Sequence, residues 1–147
     1  MATSPSYYGN YSNRDQPTLG TVAKYIADAR TRLQDTVPPY RYDDPSLLEA
    51  LNLALLEASR LRQDLFIYNI KVRGQVQAFQ AVDDTYVDIE PQFRGTLVHG
   101  ICGYACERDQ EDYQDARSTM FKNMFTQGLI GRGLGPVVGG AGPGGTR

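Results

Sequence analysis

The stretch DPSLLEALNLALLEASRLR, residues 44–62, limits the possible fold more than any other part of the chain. Asp44 followed by Pro45 reads as an N-cap acid with proline at the first helical position, so a helix starts there and runs to about Arg62. Leu47, Leu48, Leu51, Ala54, Leu55, Ala58 and Leu61 recur at helical spacing, and Leu53 and Leu56 widen the stripe. One neighbour cannot cover so broad an apolar face. The run therefore predicts a central helix inside a helical body.

The flanking segments supply its neighbours. Thr18 is placed to cap a first helix ending near Leu33, with Leu19, Val22, Ala23, Ile26 and Leu33 inward and Lys24, Asp28 and Arg32 outward. QDTVPPYRYDD then breaks the pattern, because Pro38 and Pro39 lack amide donors and clash with helical geometry. Over about 66–90, QVQAFQAV and TYVDI alternate loosely around Asp83-Asp84, which predicts a short extended or β-hairpin excursion. Pro91 opens a third helix to about Glu107, with Phe93, Leu97, Val98, Ile101, Cys102 and Ala105 on one face. Gly95, Gly100 and Gly103 fall inside it. At about 1 kcal/mol each relative to alanine, they predict a helix that approaches closely. A fourth helix, from about Glu111 to Gln127, is lined by Tyr113, Ala116, Met120, Phe121 and Met124 and capped by Gly128.

The chain thus divides into a flexible arm at 1–17, a helical domain at 18–127 and a Gly-rich arm at 128–147. Pure linkers favour polar residues, but this second arm carries Leu129, Ile130, Leu134, Val137 and Val138 between its glycines. Apolar beads on a flexible strip suit an arm that orders on a partner's groove or sheet edge.

Chemistry-bearing residues are few. His99, Cys102 and Cys106 share one helix face, as zinc ligands do, but structural zinc wants four ligands and the chain has a single histidine. Two buried apolar cysteines and an edge histidine are the simpler reading, so no metal, cofactor or catalytic residue is expected. No phosphate-binding loop, nucleophile elbow or dinucleotide fingerprint is present, and the chain reads as a non-enzyme. A metal-binding protein built on His99, Cys102 and Cys106 stays open as an alternative.

Two cysteines one helical turn apart make poor disulfide geometry, which points to a reduced, cytoplasmic place of synthesis. No apolar run approaches the roughly 20 residues that span a bilayer, so no membrane partner is expected. A net charge of −2 argues against general phosphate binding, although a small helical regulatory or nucleic-acid-binding protein remains a second alternative. Between Asp83 and Asp115 nine acids face only Arg94 and Arg108. Asp83, Asp84, Asp88, Glu107 and Asp109 are therefore candidates for a surface that lets DNA pass without holding it.

The first half of the chain resembles phage head-to-tail adaptor proteins. The resemblance rests on Ala29, Arg30, Leu33, Gln34 and Asp35 at the end of the first helix, then Tyr40, Arg41, Tyr42, Asp43 and Asp44. It continues through Leu47, Leu48, Leu51, Asn52, Leu55, Glu57, Arg60, Leu61, Arg62 and Asp64, with Gln63 where the family often has proline. Residues 89–129 look like the family's closing helix pair. The resemblance implies a mostly α, four-helix-bundle adaptor body. It also implies a homo-oligomeric ring, commonly of twelve subunits, in the neck of a virion. Such a ring joins the portal protein to the tail or nozzle protein, grips the portal with its C-terminal arm, and encloses a lumen through which packaged DNA passes.

Overall fold

The structure, a computed structural model, describes residues 18–108 and 112–131. The protein is mostly helical, and no helix among the described residues is long and apolar enough to cross a membrane. In chain order the helices are α1 (Val22–Leu33), α2 (Asp44–Leu61), α3 (Ile67–Arg73), α4 (Arg94–Glu107) and α5 (Asp112–Thr126). Short 3-10 turns at Gln63–Phe66 and Pro91–Phe93 lead into α3 and α4, and a π-helical turn at Gln127–Gly131 extends α5. Helix α4 packs on α1, α2 and α5 and is the hub of the body.

Helix α1 begins later than the sequence suggests. Its N-cap is Thr21, whose Oγ1 accepts from the Lys24 amide at 3.3 Å and donates to the Thr18 carbonyl at 2.7 Å. Gly20 turns the chain into the helix at φ +87°, and Leu19 is left outside and exposed. Two of the donors that every helix start leaves unpaired find distant partners. The Val22 and Ala23 amides donate to the carbonyls of Thr85 and Asp83, each at 2.9 Å.

Helix α2 is capped by Asp43 rather than Asp44, with the Ser46 amide donating to its Oδ1 at 2.9 Å; proline still falls in the first turn. Leu47, Leu48, Leu51, Ala54, Leu55 and Ala58 are buried as the stripe requires, against α4, α1 and the π-helical turn. Leu53 and Leu56 are exposed, so the apolar face is wider than the core it meets.

Two of the three glycines in α4 admit a neighbour. A Cβ at Gly100 would sit 2.8 Å from the Phe125 ring and 3.1 Å from the Ala54 side chain, and one at Gly103 would sit 3.2 Å from the Lys122 amide nitrogen. Gly95 faces open space. Seated in this notch, α5 buries Ser118, Phe121 and Phe125 and turns Ala116, Met120 and Met124 outward, a rotation from the expected face. The Ser118 hydroxyl reaches across to donate to the Gly103 carbonyl at 2.9 Å. Gly128 does not cap α5. The helical path continues through it, and Thr96 occupies the space a Cβ would need, with Thr96 Cγ2 at 2.8 Å from that position.

The expected hairpin at about 66–90 is not what forms. Its first part is helix α3, closed by Gly74 at φ +78°, and no strand occurs among the described residues. The remainder is an irregular loop whose backbone pairs with other partners. The Asn52 side-chain amide exchanges two hydrogen bonds with the backbone of Phe79, at 2.8 and 2.9 Å. The Gln77 side chain accepts from the Asp88 amide at 2.7 Å and donates to the Tyr86 carbonyl at 3.3 Å. A single bridge joins Tyr86 to Thr21. Side-chain amides and the start of α1 take the place of a second strand, which satisfies the backbone without a ladder.

Candidate functional site

Leu129 and Ile130, expected in the C-terminal arm, belong to the body. Leu129 is buried in the core and Ile130 packs beside it within the π-helical turn. Arg62 locks this turn down: its Nη1 donates to the Leu129 carbonyl at 2.6 Å, while its Nε and Nη2 form a bidentate pair with Asp64, both at 2.8 Å. Residues 128–131 therefore continue the helical body. The sequence could not show this, because a Gly-rich composition masks one bead that fits a pocket. Leu134, Val137 and Val138 lie outside the described residues.

The acids do not gather on one surface. Asp83, Asp84 and Asp88 are exposed on the loop before α4, where the Asp83 carboxyl accepts from the Thr85 amide at 3.0 Å, and hydrogen bonding to Thr85 holds it below the usual range. That segment sits at the start of α1 and leads into the start of α4. Glu107 is at the other end of α4, about 20 Å along at 1.5 Å per residue, and is paired with Lys122 at 2.5 Å. Asp109 lies outside the described residues.

His99, Cys102 and Cys106 share a face of α4 but turn to different partners. His99 stacks on Phe121 at 6.1 Å between ring centroids, and its Nε2 is 2.8 Å from Arg32 Nη1, so that nitrogen accepts and the proton sits on Nδ1. Burial, and then the Arg32 charge, lower its pKa. Cys102 is buried against the Ala29 carbonyl, and burial pushes its thiol up to about 12; Cys106 accepts from the Tyr42 hydroxyl at 3.8 Å. Among the described residues no group of three His, Cys, Asp or Glu side chains could hold a metal ion.

What the geometry does bring together is the polar signature between α1 and α2. Arg30 is buried, and its Nη1 donates to Asp35 Oδ2 at 3.1 Å and to the Tyr42 carbonyl at 2.7 Å. Its Nη2 reaches Asp44 at 2.6 Å, and the Tyr40 ring covers the guanidinium at 3.9 Å. Asp35, also buried, accepts from the Arg41 and Tyr42 amides at 2.8 and 2.9 Å. Around these bonds the chain turns through a cis Pro38-Pro39 bond, and Gln34 leaves α1 in the left-handed conformation at φ 60°.

One surface was not visible in the sequence. Ile67, Tyr68 and Val72 of α3 are all exposed, and Ile67 also lines a groove of about 390 Å³ with Gln63, Asp64, Ile70 and Lys71. Seven residues with apolar side chains on more than one side gave no periodicity strong enough to mark a helix. No family model, curated protein or solved structure matches the chain.

Proposed function

We propose that the chain is a head-to-tail adaptor subunit, a four-helix adaptor-like body that assembles as a homo-oligomeric ring between the portal and the tail or nozzle of a virion. The observation that carries this reading is the convergence of Arg30, Asp35, Tyr40, Tyr42 and Asp44 on one network centred on the buried Arg30 and Asp35. They come from the two sequence blocks on which the resemblance to adaptors rests, so the likeness lies in residues with a shared structural task. The uncovered apolar side chains of α3 and the exposed Leu53 and Leu56 of α2 fit a subunit that meets neighbours in a ring.

In this reading the portal-gripping arm begins after Gly131 and uses Leu134, Val137 and Val138, while Leu129 and Ile130 anchor its root. Packaged DNA passes through the lumen without specific contacts. Electron microscopy of the chain mixed with its portal tests the proposal. A stoichiometric ring seated on the portal is expected; a portal that stays bare at saturating chain concentration overturns it.

A further inference from the structure

The outward side of α1 and the start of α4 enclose a cleft of about 270 Å³, lined by Asp28, Thr31, Arg32, Arg94, Gly95 and Val98. Its electrostatics are one-sided. Asp28 is held by Lys24 at 3.0 Å, whereas Arg32 and Arg94 have no ion-pair partner among the described residues. Arg32 is fixed by a neutral histidine, which supplies no counter-charge. Helix α4 contributes positive potential of its own, since its N-cap Phe93 provides no side-chain cap and its first turn holds no acid. Nothing lies within 4 Å of a Cβ built on Gly95, so the backbone there is open to a ligand. Behind the cleft, the Tyr25 side chain is buried, and Arg94 reaches its hydroxyl. Two forked donors beside a helix start fit a carboxylate.

The same chain displays such groups. Asp84, Asp88 and Glu90 on the loop before α4 are exposed, and none has an ion-pair partner among the described residues. We infer that the Arg32–Arg94 cleft of one copy receives the 84–90 carboxylates of a second copy. This contact rests on the ring reading and deepens it, because it assigns these acids to the seam between subunits rather than to the lumen. It needs no portal, so it stands or falls separately from portal binding.

A charge exchange tests it with the full chain alone, by sedimentation velocity at low ionic strength up to submillimolar concentration. The wild type should self-associate, and salt should weaken the association. One variant carries Arg32→Glu with Arg94→Glu, and another carries Asp84→Lys with Asp88→Lys. Each should associate at least about tenfold more weakly than wild type, and an equimolar mixture should recover within about threefold, since opposite signs then meet across every seam. Circular dichroism confirms the fold of each. If a reversal variant fails to fold, Arg32→Gln with Arg94→Gln and Asp84→Asn with Asp88→Asn replace it, and both should lose the salt dependence. A wild type that stays monomeric throughout, variants that associate as wild type does, or folded variants whose mixture does not recover would each overturn the contact.

Discussion

Two connections leave α2, and they are built on opposite principles. The one before it, residues 34–43, is short and welded: a buried arginine, a buried aspartate and several main-chain groups satisfy one another. The one after it, residues 62–93, is long and propped at intervals by Asn52, Gln77 and Arg62, and it carries apolar side chains into solvent on α3. A buried ionic cluster contributes little net stability compared with a well-packed apolar one, but it tolerates one geometry and penalises every other. The first connection thus fixes how α1 meets α2. The second leaves a surface that a further molecule can cover.

The contrast can be broken most forcefully at Arg30. Arg30→Ala should cost about 3–5 kcal/mol, because it strands the buried Asp35 charge; denaturant unfolding followed by circular dichroism measures it, and a cost under about 1 kcal/mol would put the weld elsewhere. Leu51→Ala, in the helix both connections share, should cost about 2–5 kcal/mol by the same measurement, as its side chain is fully buried. On the propped side, Asn52→Ala removes both hydrogen bonds to Phe79 and should cost about 1–3 kcal/mol. Val72→Ser on α3 should change stability by no more than about 0.5 kcal/mol while weakening assembly. A large loss of stability there would show that α3 belongs to the core.

The smallest effect concerns pH. The folded pKa of His99 lies below its ordinary value, so below about 6.5 the unfolded chain takes up a proton that the native state resists. Stability should therefore fall as pH drops from about 7 toward 5, and His99→Gln should flatten that slope in thermal melts.

The same contrast explains what could be read in advance. The α2 stripe and the α4 glycines were legible because each residue states its own requirement: a leucine at helical spacing wants cover, and Gly100 and Gly103 want a neighbour's backbone or ring. Errors arose where a requirement could be met in two ways. Asp43 and Asp44 are both able caps, and the fold uses one for Ser46 and the other for Arg30. Met120 and Phe121 are both apolar, and it is the ring that is buried and stacks on His99 while Met120 stays exposed. Alternation over 75–90 promises a strand but cannot say that side-chain amides will serve as its partner. Of the candidate site, Leu129 looked like part of the arm because its decisive contacts, with Arg62 and the core, join residues far apart in sequence. The Arg32–Arg94 cleft is equally non-local.

The carbonyls of Asp83 and Thr85 that pair with the first amides of α1 have a kinetic meaning as well. The amides of Val22 and Ala23 are protected only while a segment about sixty residues downstream stays in place. In native-state hydrogen exchange they should open together with that segment, ahead of the last turn of α1, which Arg30 ties to the weld. One helix then belongs to two cooperative units: its tail to the corner that sets the body's shape, and its head to the strap whose acids are offered to a neighbour. Docking of that strap in a second copy would slow exchange at the head of α1 although nothing touches it directly.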